Sequence, residues 1–82
     1  MVKAVFSEEF SKKFRKITDN SLKDKIIKQT IKIRETPEIG KPMMYSRKNT
    51  RELYVKPYRL SYAYVKEEDR IFFLDIYHKD EQ

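Results

Sequence analysis

Apolar residues at the start of the chain first alternate and then recur at a longer period. The alternating positions are Val2, Ala4 and Phe6, and the later ones are Phe10, Phe14 and Ile17. The alternation predicts a short strand with one buried face, and the longer spacing predicts an amphipathic helix. Ser7 can cap this helix, and two glutamates follow in its first turn, where the helix dipole favours acids. We expect the helix to end at Asp19-Asn20.

A second helix is predicted from Ser21, which can act as its N-cap, to about Glu35, where Thr36-Pro37 stops it. Five apolar residues are expected on its buried side and four lysines on its outer side. The apolar residues are Leu22, Ile26, Ile27, Ile31 and Ile33, and the lysines are Lys23, Lys25, Lys28 and Lys32. The two helices are expected to form an antiparallel hairpin.

The period changes to two in the second half of the chain. Three runs rich in β-branched and aromatic residues predict strands at about 51–55, 58–65 and 70–77, and the polar segment 66–69 suits a hairpin turn. The sequence therefore predicts an α+β fold within a single domain over residues 1–82. It consists of an N-terminal strand, a two-helix antiparallel hairpin and a C-terminal antiparallel three-stranded meander.

The predicted strand 58–65 has two faces of different character. The tyrosines and Leu60 fall on one face, and Arg59, Ser61 and Ala63 fall on the other. If the tyrosine face packs on the helices, Arg59 stands in a shallow trough that a phosphate can approach, because its neighbours are small. An ordinary half-exposed strand is the alternative interpretation of the same pattern.

Composition limits the kinds of site that the chain can contain. The 82 residues include no cysteine and one histidine, which excludes disulfides and thiolate metal sites. We expect neither a metal nor a cofactor. Neither a signal peptide nor a membrane span is found in the sequence, so a cytoplasmic protein is expected.

Positive charge is concentrated in the middle of the chain. Residues 41–59 contain six Lys or Arg and one acidic residue, a net +5, and the whole chain has a net charge of +6. Such a local excess attracts phosphates, which makes nucleic acid the leading candidate partner. A solvated lysine-rich surface is the alternative. The predicted phosphate contacts are Arg47, Lys48, Arg51 and, at the end of the last strand, His78.

Three segments resemble the RelE/ParE toxin superfamily. They are Pro37-Glu38-Ile39-Gly40-Lys41-Pro42, the stretch from Arg51 to Tyr62, and Leu74-Asp75-Ile76-Tyr77-His78-Lys79. The most specific part is Tyr58-Arg59-Leu60-Ser61-Tyr62, which matches a Tyr-Arg-aliphatic-X-Tyr pattern. The resemblance extends to the order of the elements along the whole chain.

The resemblance implies a toxin that is neutralised by a RelB-like antitoxin wrapping the domain. In the RelE branch it also implies cleavage of messenger RNA on the ribosome, by attack of the RNA 2′-hydroxyl on the adjacent phosphate. Carried over by position, Arg59 would hold the scissile phosphate, and Lys79 would be the basic residue that follows the last strand.

Two further residues are candidates for proton transfer in that reaction. Tyr54 and Lys56 alternate on the strand before Arg59, on the side opposite Leu53 and Val55. Neighbouring cations would lower the pKa of either group and so suit it to acid–base work.

Two other functions remain open at this point. Glu52 stands where members of the superfamily often carry a basic residue, which suits a ParE-like toxin that inhibits a topoisomerase without chemistry of its own. A plain basic nucleic-acid-binding module is the other alternative.

Overall fold

The computed structural model describes residues 2–42 and 49–78. Its elements are β1 (Lys3–Phe6), α1 (Glu8–Lys16), α2 (Asn20–Glu35), β2 (Lys41–Pro42), β3 (Thr50–Val55), β4 (Tyr58–Val65) and β5 (Arg70–His78), with a 3-10 turn at Lys66–Glu68. The predicted α+β fold is confirmed. The sequence pattern did not indicate β2, which is too short to show a period.

The strands form one sheet in the order β1-β5-β4-β3-β2. Strands β3, β4 and β5 are the predicted antiparallel meander, and β1 runs parallel to β5. Helix α1 packs against β5, and α2 packs against β3. Within residues 2–42 and 49–78, no helix has the length and apolar content needed to cross a membrane.

Helix α1 starts at its predicted cap. The N–H of Phe10 donates to Ser7 Oγ at 3.0 Å, and this hydroxyl donates to the carbonyl of Leu74 at 2.7 Å. The first bond satisfies a donor that the helix itself leaves without a partner. The second bond joins the start of α1 to β5, 67 residues further along the chain.

The cap predicted for α2 was wrong by two residues. Asp19 precedes the helix, and its Oδ1 accepts from the N–H of Leu22 at 3.2 Å, whereas Ser21 lies in the first turn. A carboxylate caps as well as a hydroxyl, and its negative charge suits the positive end of the helix dipole. The helix therefore begins at Asn20, directly after Asp19.

Two positions predicted to be buried in α2 are exposed. Ile27 and Ile31 expose 45% and 42% of their surface. The inward stripe is made of Leu22, Ile26, Thr30 and Ile33. Thr30 can be buried because its hydroxyl donates to the carbonyl of Ile27 at 2.7 Å. Ile27 and Ile31 each follow an inward residue by one position, which turns them about 100° away from the core.

The tyrosine face of β4 packs toward the helices. Leu60 and Tyr62 are fully buried, and Tyr58 and Tyr64 pack against the core at its margin. The rings of Tyr62 and Phe73 lie 6.1 Å apart between centroids. The face of β4 that carries the tyrosines thus belongs to the core, and the opposite face is available for a functional site.

Strand β5 contains one residue more than β4 in their ladder. Ser61 pairs with Asp75 while Tyr62 pairs with Phe73, so Leu74 is the extra residue of a bulge. The bulge shifts the alternation of β5, whose buried residues are Ile71, Phe73 and Ile76. Because of this shift, Tyr77 stands opposite Arg59 in the ladder.

The loop before β2 is held by hydrogen bonds between its backbone and the side chains of Tyr62 and Arg51. The Tyr62 hydroxyl donates to the carbonyl of Pro37 and accepts from the N–H of Gly40, both at 2.8 Å. Arg51 Nη1 donates to the carbonyls of Glu38 and Gly40, at 3.0 and 2.7 Å. A Cβ on Gly40 would lie 2.5 Å from the Tyr62 hydroxyl oxygen, so only glycine fits here.

Candidate functional site

The sheet face opposite the helices, called the open face below, carries three side chains in one row. Tyr54 of β3, Arg59 of β4 and Tyr77 of β5 pair across the ladders. Opposed residues of neighbouring strands project to the same side, so the three side chains are neighbours. Arg59 is central, and 34% of its side chain is exposed.

Glu52 bridges two members of this row with its two carboxylate oxygens. Arg59 Nη1 donates to Glu52 Oε1 at 3.0 Å, and the Tyr77 hydroxyl donates to Glu52 Oε2 at 2.7 Å. The guanidinium carbon of Arg59 also lies 5.9 Å from the centroid of the Tyr54 ring, within cation–π range. Arg59 is therefore held in place on two sides.

The centre of the open face is an ion pair of zero net charge. The Glu52 side chain is 22% exposed, and Ser61 beside it is buried. Arg59 Nε is buried and has no hydrogen-bond partner among residues 2–42 and 49–78. Nη1 donates to Glu52, which leaves Nη2 and the second proton of Nη1 without a hydrogen-bond partner among the residues that the structure describes.

The groups on the open face form a set suited to acid–base chemistry on a phosphate ester. A guanidinium can stabilise charge on phosphate oxygens, a carboxylate can accept a proton, and a phenol can donate one. Among the described residues, no group of three or more His, Asp or Glu is placed to hold a metal ion.

Other residues predicted from the sequence lie away from this row. Lys56 is exposed in the turn between β3 and β4 rather than on β3. Arg51 faces the other side, toward the loop that it holds. His78 pairs with Tyr58 on the helix side of the sheet, and their rings meet edge to face at 5.6 Å. Arg47, Lys48 and Lys79 lie outside the described residues.

Sequence reasoning did not include two members of the row's network, Glu52 and Tyr77, among the catalytic or binding residues. Glu52 is two positions from Tyr54 on β3, so strand alternation does place it on the open face. Tyr77 was not accessible to the same reasoning, because the bulge at Leu74 reverses the alternation of β5. Asp75 Oδ1 accepts a hydrogen bond from Lys13 Nζ at 2.9 Å. This hydrogen bond raises the pKa of Lys13 above its usual 10.5.

A second feature lies on the helix side of the molecule, between β1 and the two helices. This hairpin groove has a volume of about 400 Å³ and an aromatic floor. Its lining includes Phe6, Phe10, Phe14, Arg15 and Ile27. Phe6 and Ile27 expose 46% and 45% of their surface. An apolar groove with a cationic rim suits an amphipathic segment of a partner.

Comparisons with solved structures identify the fold. The chain superposes with a TM-score of 0.80 on the toxin–antitoxin complex RelBE of E. coli, at 19% identity over 93% of this chain and 94% of the other. A YoeB/ParE toxin from Agrobacterium tumefaciens gives 0.81, at 16% identity over 93% and 96%. The archaeal RelE–RelB complex from Pyrococcus horikoshii gives 0.79, at 9% identity over 99% and 98%.

Sequence comparison identifies the family. No curated protein matches the chain. The family model of the ParE toxin of type II toxin–antitoxin systems, parDE, matches residues 4–82. Since that match spans nearly the whole sequence and the fold is that of RelE toxins, the chain belongs to the ParE toxin family within the RelE/ParE superfamily.

Proposed function

We propose that this toxin acts as a single domain over residues 1–82 in the cytoplasm, where it cleaves messenger RNA bound to ribosomes. The reaction is attack of the 2′-hydroxyl on the adjacent phosphate, without a metal ion. The proposal rests above all on Arg59, which stands partly exposed at the centre of the open face between two phenols. One positioned cation flanked by proton-transfer groups is what this chemistry requires.

The other predicted residues have supporting roles in the proposal. Tyr54 borders Arg59 directly and would contact the RNA beside the reacting phosphate. Lys56 in the turn after β3, and Arg51 and His78 on the helix side of the sheet, would contact more distant phosphates. The same role is proposed for Arg47, Lys48 and Lys79. Lys79 is the residue that follows β5 in the sequence.

The proposed partner is a RelB-like antitoxin. Two of the similar structures are complexes of a RelE toxin with RelB. The hairpin groove of this chain would receive an amphipathic antitoxin segment, because Phe6 and Ile27 leave apolar surface exposed there and Arg15 favours an acidic partner. A further antitoxin segment would cover the open face.

Purified toxin incubated with ribosomes and messenger RNA tests the proposed reaction. We expect cleavage that survives chelation once the ribosomes are stabilised with a polyamine. Arg59→Ala should lose about 100- to 1,000-fold in single-turnover rate, the usual loss for one donor aimed at a developing oxyanion. Arg70→Ala is the matched control, since Arg70 is exposed at the start of β5, six rows from the site. An Arg59→Ala protein that is folded and fully active would remove Arg59 from the reaction.

Inhibition of a topoisomerase is the second candidate function. It is favoured by the match to the ParE model and by Glu52, which neutralises the central cation of the open face. Under this alternative the purified toxin inhibits DNA supercoiling and leaves ribosome-bound messenger RNA intact. Assaying both activities with one preparation separates the two functions.

A further inference from the structure

Glu52 and Tyr77 are joined by a hydrogen bond of 2.7 Å on the open face, beside Arg59. We propose that they are the catalytic base and acid of RNA cleavage, an inference that rests on the ribonuclease function proposed above. Glu52 takes the proton of the attacking 2′-hydroxyl, and Tyr77 supplies a proton to the departing 5′-oxygen. Both would contact the reacting atoms directly.

The position of the pair supports a chemical role. Its two groups lie on the face that does not enter the core, and Glu52 is 22% exposed, so a nucleotide can reach them. Arg59 fixes the carboxylate by one oxygen, which leaves further lone pairs of Glu52 for the substrate. A phosphate held by the remaining Arg59 donors would be a direct neighbour of both groups.

The hydrogen bond between the two residues closes the proton balance. The 2′-oxygen forms a bond to phosphorus as its proton passes to the Glu52 carboxylate. The bond from phosphorus to the 5′-oxygen breaks as that oxygen takes the phenolic proton of Tyr77. The products are a cyclic phosphate and a free 5′-hydroxyl, with Glu52 neutral and Tyr77 a phenolate. Proton transfer from Glu52 to Tyr77 along their hydrogen bond then restores both groups without another reactant.

The spacing of the pair also suits the reaction geometry. In an in-line displacement the attacking and leaving oxygens are separated by two P–O bonds on opposite sides of phosphorus. Two side chains in mutual hydrogen-bond contact can bridge these oxygens from one side, each donating or accepting at ordinary hydrogen-bond length. Arg59 then contacts the equatorial oxygens, where charge develops.

Two near-isosteric variants remove one proton function each. Glu52→Gln removes the proton acceptor, and Tyr77→Phe removes the proton donor. We expect each to lower the single-turnover rate on ribosome-bound messenger RNA by about 100-fold or more, within the usual range for general acid or base catalysis. RNA affinity and melting temperature should change little in comparison.

Matched controls lie outside the site. Glu68→Gln is an equivalent change in the exposed 3-10 turn, and Tyr64→Phe is an equivalent change on the helix side of β4. Both should cleave at the wild-type rate. The rate of the double variant Glu52→Gln/Tyr77→Phe should lie close to that of the slower single variant, because the pair acts as one unit.

A modified substrate distinguishes acid catalysis from a structural role. Once the wild-type cleavage position is mapped, a short messenger RNA is made with sulfur in place of the 5′-oxygen at that linkage. A thiolate leaves without protonation, so Tyr77→Phe should cleave this substrate at nearly the wild-type rate. Glu52→Gln should remain slow on it, because the 2′-hydroxyl still needs a base.

The outcomes separate this inference from the proposed function. A wild-type protein that cuts no messenger RNA on ribosomes refutes the ribonuclease function itself. If the wild type cuts RNA and both variants cut it equally fast, the ribonuclease stands and the base–acid pair is refuted. A Tyr77→Phe defect of the same size on the oxygen and sulfur substrates refutes the acid role alone.

Discussion

Arg59 donates to a carboxylate of its own chain, so the same side chain serves the site and the fold. The two side chains are 34% and 22% exposed, and water therefore screens their attraction in part. In a double-mutant cycle of Arg59→Ala and Glu52→Ala, we expect a coupling free energy of about 1 kcal/mol in urea unfolding. The cycle Arg70→Ala with Glu68→Ala gives the baseline for a pair not joined by a salt bridge. Zero coupling between Arg59 and Glu52 would mean that their contact does not hold Arg59 in place.

The buried phenol of Tyr62 should make the fold less stable at alkaline pH. Burial raises the pKa of Tyr62 above its usual 10.0, opposed by the hydrogen bond from Gly40 and the charge of Arg51. The folded state thus holds the phenolic proton more tightly than the unfolded chain. Stability should be complete below the unfolded value and fall as pH rises from there through the folded-state pKa.

Tyr62→Phe tests this dependence in urea unfolding at neutral and alkaline pH. The variant should lose about 1–3 kcal/mol at neutral pH, because the N–H of Gly40 and the carbonyl of Pro37 lose their partner. Its stability should also fall less steeply at alkaline pH than that of the wild type. Tyr64→Phe should keep the wild-type slope. An unchanged slope in Tyr62→Phe would contradict the assigned pKa direction.

At the scale of residues, the sequence predicted some site positions and not others for physical reasons. The period-two pattern of β4 was enough to place Arg59 on the face away from the core. Tyr77 could not be placed, since one extra residue in β5 turns every later side chain over. The contact between Arg51 and the loop depends on backbone carbonyls, which no side-chain pattern shows.

At the scale of elements, the two helix caps can be tested against each other. Ser7→Ala and Asp19→Ala should each lower the free energy of unfolding by about 0.5–2 kcal/mol. Ser7→Ala should be the more costly, because it also removes the hydrogen bond to Leu74. Ser21→Ala should change stability by less than about 0.5 kcal/mol, as expected for a surface position away from a cap. A larger loss for Ser21→Ala than for Asp19→Ala would mean that Ser21 is the N-cap of α2, as the sequence predicted.

Element types were predicted well because three long strands and two helices each show a clear period. The burial of α2 was predicted less well, since five apolar residues on a helix of 16 residues cover more than one face. Only the position of the sheet decides which of those faces turns inward. Strand β2, with two residues, is defined by pairing to Arg51 and Glu52 and has no periodicity of its own.

At the scale of the molecule, the exposed face of α2 should take part in binding the antitoxin. Ile27→Glu places a charge in the hairpin groove and should weaken binding at least about tenfold, a loss of about 1.4 kcal/mol. Ile31→Glu is the matched control, because Ile31 is similarly exposed but does not line the groove. Titration of each variant with antitoxin gives the affinities. Equal effects of the two substitutions would show that the antitoxin does not bind in the groove.

The wild-type toxin should also melt at a higher temperature with saturating antitoxin. A ligand that binds only the folded state stabilises it by about 2.7 kcal/mol at one hundred times its dissociation constant. The Ile27→Glu variant should show a smaller shift at the same concentration. No shift for the wild type would exclude the partner as its antitoxin.

The pairing of β1 with β5 determines when a newly made chain can fold. Neither β1 nor the hydroxyl of Ser7 has its final partner until β5 has been synthesised. Contacts between such distant segments are slow to form, because the entropy of closing the intervening loop must be overcome first. Tyr77 joins Glu52 in the same step, as part of β5. During translation, the ribosome that makes this toxin therefore carries a chain whose open face is still unassembled.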